Sequence, residues 1–513
     1  MRTSSYTIYS ELPDRPEVLL IHGYTGAYDV VSRDIADFLR SNETVKPPKP
    51  LHGTWRDEAP AGPHHAPDAE TLERLRRRGY LTSKTAEEEA ELLDKIASKI
   101  HAASRMPGYV IMPTYDCNLR CHYCFQDHMR TDAAFAHLLK RSTREHFDRL
   151  LAALPGIERQ HHVEAEQLVR SFMFFGGEPL LASARPDIEY FVGRAQALSK
   201  TRFSAITNAT ELDAYEGLLG PDRIEWLQVT LDGPPDEHDK RRIRADGTGS
   251  WDAIAKNLTF ALDQGCEVNV RMNIDRANIL HLDRLAQEMD RLGWWSYPKF
   301  SAYVAAIHKS NDKTDSTTTF DSYELGAELK RLSADNPVLA RFAVPADVLK
   351  RRISAVLTGA VNPQSQLHPT YCSAHTSMYV FDALGDIYAC WERTGDERTR
   401  VGYLTDDGAV FPGKADAPHA RPGRKYLPLA GAEPIGLDAW RDRTISSNAV
   451  CRKCRYALHC GGGCAAGALN SKAKYLTNYC DGFQNQFRTA AAEAYLAFER
   501  GERISGPASD CRA

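Results

Sequence analysis

No stretch of the 513-residue chain stays apolar long enough to cross a bilayer. The opening residues, MRTSSYTIYSELPDRPE, also lack the basic-then-apolar layout of a secretory signal. No membrane role is expected, and the default location is cytoplasmic. Excess charge of one sign is missing too: 64 Lys and Arg stand against 68 Asp and Glu, leaving a net charge of -4. So even a balance carries no signature for nucleic acid, which is not an expected partner. With 42% hydrophobic and 26% charged residues the chain reads as globular, and its length calls for two to four domains.

Cysteine breaks this ordinary pattern. The 12 cysteines stand at 117, 121 and 124, then 266, then 372, 390, 451, 454, 460, 464 and 480, with the last at 511. Such bunching in a reducing compartment points away from a disulfide framework and toward metal ligation.

Residues 1–104 read as a separate unit. YTIYSEL and EVLLIHG have the look of short strands, with Gly23 and Gly26 at a turn, and Ile35, Phe38 and Leu39 fall at helical spacing. The Pro/Gly/His-rich stretch from Lys46 to Pro67 reads as a linker. LERLRRRGYLTS then reads as helix, turn and strand, and TAEEEAELLDKIASKIHAA as an amphipathic helix. The order suggests a winged-helix-like module, with a helical cap lacking any binding role as the alternative.

From residue 105 to 310 strand and helix alternate. Strands are predicted at YVIM, SFMFF, RFSAIT, WLQVTL, EVNVRMNI and PKFSAYVAAI, with helices such as HLLKRSTREHFDRLLAAL and WDAIAKNLTFALDQG between them. This α/β pattern means parallel strands, in an incomplete (β/α) barrel or a doubly wound sheet. In both, chemistry belongs at the C-terminal strand ends. A helical bridge at 311–370 leads to a cysteine-rich region at 371–485. Residues 486–513 supply a last helix and a polar tail. The Pro/Gly-rich FPGKADAPHARPGRKYLPLAGAEP within the cysteine-rich region reads as a surface loop.

YVIMPTYDCNLRCHYCF places C-x3-C-x2-C directly after the first of these strands. A short loop can wrap three thiolates around one iron–sulfur cube and leave the fourth iron open to a chelating ligand. Zinc would want a closed set of four, for which His122 and His128 are the only nearby additions.

On these residues the chain resembles the radical S-adenosylmethionine (SAM) superfamily, whose motif is C-x3-C-x-aromatic-C. The resemblance implies a partial (β/α)6 TIM-like barrel, a 4Fe–4S cluster on Cys117, Cys121 and Cys124, and SAM as cosubstrate. It implies that Tyr123 lies beside the adenine. FFGGEP is similar to the family's GGE motif, so Gly176, Gly177 and Glu178 are expected at the methionine amino group. SAITNAT resembles a TNG-type segment, placing Ser204 and Asn208 near the cofactor, although Ala209 stands where glycine is common. VTLDGPPDEHDKRR brings Asp232, Gly233 and Arg242, and VNVRMNID brings Arg271 and Asn273. The implied chemistry is one-electron reduction of the sulfonium, carbon–sulfur cleavage, and hydrogen abstraction by a 5′-deoxyadenosyl radical. Asp232 is the candidate catalytic residue, while Tyr303 and His308 near strand ends read as structural or cofactor-binding.

Downstream, Cys372 is followed by twelve residues, Gly385, four residues and Cys390. Then come Cys451-x2-Cys454-x5-Cys460-x3-Cys464, fifteen residues and Cys480. Read generically, part of this could be a zinc ribbon. The full spacing resembles the SPASM domain, which implies two auxiliary 4Fe–4S clusters and three clusters in all. Matched residue by residue, Cys372, Cys390 and Cys464 would hold one, and Cys451, Cys454, Cys460 and Cys480 the other. The first set lacks a fourth ligand; either the site is open, or His368 or Cys511 completes it. Cys266 reads as a small buried hydrophobe.

Module, barrel and SPASM in this order resemble maturases of ribosomally made peptides. That implies an RRE-like N-terminal module pairing a leader strand with its sheet edge. It also implies a precursor peptide as partner and a flavodoxin- or ferredoxin-type reductant. The expected product is an intramolecular crosslink, thioether or C–C cyclophane. The alternatives are formylglycine generation on a sulfatase, or peptide epimerisation.

Overall fold

A computed structural model describes the chain except residues 47, 49–58, 104, 164–167, 309–313, 315–316, 413–433, 473, 503 and 505–513. Most of the expected linker after Lys46, most of the surface loop and Cys511 fall outside the described residues.

The first hundred residues build a three-stranded antiparallel sheet from β2 (Thr7–Glu11), β3 (Val18–His22) and β4 (Tyr28–Val31), after a short β1 (Arg2–Thr3). β1 pairs with β5 (Leu81–Thr82), which follows the helix Ala69–Arg78. Every residue of β3 is buried, since the strand is covered on both faces. Helix Ala86–His101 starts at a capping box: Thr85 accepts from the Glu88 N–H, and Glu88 accepts from the Thr85 N–H.

The six expected strands all form: β6 (Gly108–Met112), β7 (Val169–Phe174), β8 (Lys200–Thr207), β9 (Ile224–Thr230), β10 (Glu267–Ile274) and β11 (Phe300–Ala306). They are parallel neighbours in chain order. Strand order never reverses, so the winding is that of an open barrel rather than a doubly wound sheet. One expected helix is divided. HLLKRSTREHFDRLLAAL is helical only from Arg144, where Thr143 caps the new helix by accepting from the His146 N–H.

The cysteine-rich region is joined to this sheet. β12 (Met378–Asp382) pairs in parallel with β6, in register Met378–Gly108 through Asp382–Met112. β13 (Asp386–Tyr388), β14 (Arg400–Thr405) and β15 (Gly408–Val410) then add as antiparallel strands, so ten strands run from β11 to β15.

The N-terminal unit is packed onto the far end of the chain. Ile8, Leu12, Leu19 and Ile21 share a core with Ile353, Tyr456, Phe487 and alanines of the final helix, Phe483–Glu499. The Tyr6 hydroxyl donates to the Arg452 carbonyl at 2.6 Å. Arg452 in turn bonds Asp94 and Glu87, each at 2.6 Å. The loop carrying Cys451 and Cys454 is thereby clamped by the N-terminal unit. Among the described residues no helix is long and apolar enough to cross a membrane.

Candidate active site

The C-terminal ends of β6–β11 surround a cavity of about 250 Å³. Cys117, Cys121 and Cys124 line it, all as free thiols. Burial pushes the Cys117 thiol up to about 11 and Cys121 to about 12. Neither thiolate persists there without a compensating cation.

Two arginines supply positive charge. Arg130 donates to Cys124 Sγ at 3.3 Å, and Arg242 lies beside Cys121. The Leu119 N–H and Asn208 Nδ2 donate to Cys117 Sγ at 3.4 and 3.7 Å. Three thiols ringed by donors, with a cavity beside them, suit a cluster that takes only three protein ligands. Among the described residues no three His, Cys, Asp or Glu converge to hold a single metal ion. Thiolates of a cubane each bind a different iron, so they need no common point.

The GGE turn lies tight against the cysteine loop. The Gly177 N–H donates to the Thr114 carbonyl at 3.1 Å and the Glu178 N–H to the Asp116 carbonyl at 2.7 Å. A Cβ on Gly177 would stand 2.1 Å from Asp116 O and 2.4 Å from Tyr115 O, so only glycine fits. Gly176, at φ +134°, is required for its conformation as well. Glu178 is 2% exposed. It accepts from Thr207 Oγ1 (2.6 Å), the Asn208 N–H (2.6 Å) and the Leu180 N–H (2.9 Å). Burial outweighs these bonds and raises its carboxyl to about 7. Ala209 adopts φ +63°, the left-handed conformation that explains why glycine is common there in the family. Its N–H and carbonyl are held by Thr207 and Asn257, and Asn208 still reaches the cavity.

Tyr123 organises the opposite wall. Its hydroxyl bonds Asp232 and accepts from Arg242 at 2.7 Å and from Asn273 Nδ2 at 3.2 Å. Arg271 Nε donates to Asn273 Oδ1 at 2.9 Å. Tyr123, Arg242, Arg271 and Asn273 therefore meet at the cavity.

Two of the expected residues lie off the cavity. Asp232 is wholly buried and off the cavity, with one oxygen on Tyr123 and the other on the Asn273 N–H at 2.9 Å. It stands behind the cavity wall, bonded to two residues that line it. Ser204 sits mid-strand, paired with Met173 and bonded to the Phe172 carbonyl at 3.4 Å, away from the cavity. It shares a face with Ile206, which does line the cavity, but lies two residues further from the strand's C-terminal end.

The structure also brings in residues the motifs did not flag. Trp391 and Glu392, directly after Cys390, line the same cavity. Trp391 packs on Phe175 at 5.5 Å, and Phe175 stacks on Phe125 at 6.4 Å. An aromatic wall thus runs from Cys124–Phe125 to Cys390–Trp391.

The downstream cysteines gather in two places. Cys451, Cys454, Cys460 and Cys480 line one small cavity, and Asn478 Nδ2 donates to Cys480 Sγ at 2.9 Å. Cys372, Cys390 and Cys464 are electrostatic neighbours of one another and of Glu392. Between Cys460 and Cys464 stand three glycines, all at positive φ. This left-handed run turns the chain so that the two cysteines serve different groups. His368 does not join the trio: its Nδ1 faces the Gln366 carbonyl at 3.2 Å, and its charged neighbours are Arg352 and Arg105. Cys266 is wholly buried, its thiol donating to the Ile224 carbonyl at 3.3 Å.

The cysteine triplet at the end of the first strand of a six-stranded parallel barrel defines a class. Residues 111–287 match the model of the radical SAM superfamily, and over that span the chain carries a radical SAM domain. Among curated proteins it is similar to the cysteine-type anaerobic sulfatase-maturating enzyme of Clostridium novyi (strain NT). Identity is 24% over 299 residues, covering 57% of this chain and 74% of the relative. Among solved structures, native anSMEcpe with bound AdoMet aligns at TM-score 0.53 and 15% identity, covering 77% of this chain and all of that one. Streptococcus suis SuiB aligns at TM-score 0.45 and 15% identity, covering 94% of this chain and 99% of that one.

Proposed function

We propose that the chain is a peptide-modifying radical SAM enzyme with a C-terminal SPASM domain. It would abstract a hydrogen atom from a residue of a precursor peptide and close the product into an intramolecular crosslink. Cys117, Cys121 and Cys124 would hold the 4Fe–4S cluster, with SAM on the fourth iron. Cys372, Cys390 and Cys464 would hold one auxiliary cluster, and Cys451, Cys454, Cys460 and Cys480 the other. When bound and reduced, the first cluster and SAM supply the 5′-deoxyadenosyl radical that removes the hydrogen.

One observation carries the oxidative reading: Trp391 and Glu392 line the radical cavity while Cys390 belongs to the adjoining thiol group. Crosslinking removes two hydrogens, one as an atom and one as a proton, and the leftover electron needs an exit beside the substrate. Residues 1–104 would act as the RRE-like module, with β4 at the edge of its sheet available to a leader strand. An electron-carrier protein of flavodoxin or ferredoxin type would reduce the first cluster.

The curated relative favours a second reading, oxidation of a sulfatase cysteine to formylglycine. Mass spectrometry of a co-expressed precursor peptide separates these outcomes. A loss of two hydrogens with a new crosslink supports the lead reading. An isobaric product means epimerisation. Turnover of a sulfatase-derived cysteine peptide alone, with none of a precursor, replaces the lead reading by the second.

Glu178 would receive the methionine ammonium. With its carboxyl raised to about 7 by burial, the free protein holds it neutral below that pH and ionised above. The ammonium favours the ionised form, so SAM affinity falls by about tenfold per unit as pH drops below about 7. By the same linkage, unliganded stability falls as pH rises from the ordinary glutamate range through about 7. Glu178→Gln is expected to flatten the affinity profile and weaken binding by roughly 1.5–3 kcal/mol. Calorimetric titration with SAM between pH 6 and 8 checks this; a flat wild-type profile contradicts it.

A further inference from the structure

We infer that Arg130 sets the reduction potential of the radical-forming cluster, by donating a hydrogen bond and a positive charge to one of its thiolates. The inference rests on assigning Cys117, Cys121 and Cys124 to that cluster.

Arg130 lies on the short helix His128–Thr131, six residues after Cys124. The chain's turn after the triplet brings it back over the loop it has just left. Nη2 reaches Cys124 Sγ at 3.3 Å, and Nη1 donates to the carbonyl of Tyr115 at 3.1 Å, two residues before Cys117. Nε is buried with no partner, and the guanidinium lines the cavity. Its anionic neighbours are Cys124, Cys117 and Asp127. Of the neighbouring arginines, Arg242 gives Nη1 to Tyr123, and Arg120 bonds backbone carbonyls.

An added electron makes the cluster and its thiolates more negative. A cation in contact with a ligating sulfur stabilises that reduced form more than the oxidised one, and so raises the potential. The low dielectric of the buried loop strengthens the effect. Arg130 also ties the two ends of the loop through Tyr115, so a purely structural role is the competing explanation. Charge separates the two, because lysine keeps it and glutamine does not.

The test compares reconstituted full-length wild type, Arg130→Lys and Arg130→Gln by redox titration followed by electron paramagnetic resonance. The radical cluster is recognised as the signal that changes when SAM is added. In Arg130→Gln that signal is expected to titrate at a more negative potential, with iron content unchanged. A tenfold fall in reduced fraction at fixed potential corresponds to about 59 mV for one electron. Arg130→Lys is expected to stay close to wild type. An unchanged potential in Arg130→Gln, or loss of the SAM-responsive signal in both variants, overturns the inference. Absence of any SAM-responsive signal in wild type would instead remove the assignment beneath it.

Discussion

Gly177→Ala is expected to empty the radical site while leaving the rest of the molecule folded. The added methyl group would sit 2.1 Å from Asp116 O and 2.4 Å from Tyr115 O, both backbone atoms immediately before Cys117. No side chain can swing aside to make room, so the loop itself must move. The displacement passes directly to the first thiol and to the Glu178 N–H bond on Asp116. Misplacement of about 1 Å costs about a hundredfold in rate where geometry is decisive. The variant should lose the SAM-responsive cluster and at least that factor in 5′-deoxyadenosine formation. Gly193→Ala is the control: its Cβ would meet nothing within 4 Å, on the helix Arg185–Leu198. It should be neutral or slightly stabilising. Equal iron and equal turnover in the two variants would show that the GGE turn does not hold the cysteine loop.

The second large effect concerns the N-terminal unit. Removing residues 1–104 is the obvious test of leader recognition, yet the structure predicts that it damages more than recognition. Ile8, Leu12, Leu19 and Ile21 are each at most 3% exposed in the core shared with Tyr456 and Phe487. Their removal uncovers Ile353, Tyr456 and Phe487, and re-exposing large apolar side chains costs up to about 1.5–3 kcal/mol each, roughly 4.5–9 kcal/mol together. That approaches the whole stability of a typical domain, about 5–15 kcal/mol. The deletion also takes away Tyr6, Glu87 and Asp94, which hold Arg452 between Cys451 and Cys454. The truncated chain is expected to aggregate or to lose iron from the Cys451 group. A soluble truncation with full iron content would contradict this. Leader binding is better tested on the intact chain, by competition with a free leader peptide.

The parts of this architecture that the sequence made legible are those written in local pattern. Six parallel strands are short apolar runs between helices, and the motifs lie at or within five residues of the strands' C-terminal ends. The triplet could be read from its spacing, and the GGE turn and Tyr123 from the resemblance to the superfamily's motifs. What escaped depends on contacts between distant segments. β12 reads locally as one more short strand; its parallel pairing with β6 joins Met378 to Gly108, far apart in the chain. That pairing is what delivers Trp391 and Glu392 to the radical cavity. Ser204 lies off the cavity because it sits one pleat below Ile206 on the same strand face, a depth that a motif match does not give. Asp232 was recognised as part of the site, yet only the Tyr123 and Asn273 bonds reveal that both its oxygens are engaged. Arg130 carries no motif at all, and its place on Cys124 follows from a single short helix folding back.

Anaerobic reconstitution with iron and sulfide tests the central claim most directly, with 5′-deoxyadenosine release from SAM measured under a strong reductant. The wild type is expected to bind iron and release 5′-deoxyadenosine. The triple variant Cys117→Ala, Cys121→Ala, Cys124→Ala is expected to keep its downstream iron and release none. A wild type that holds zinc and leaves SAM intact, or a triple variant as active as wild type, would contradict the account.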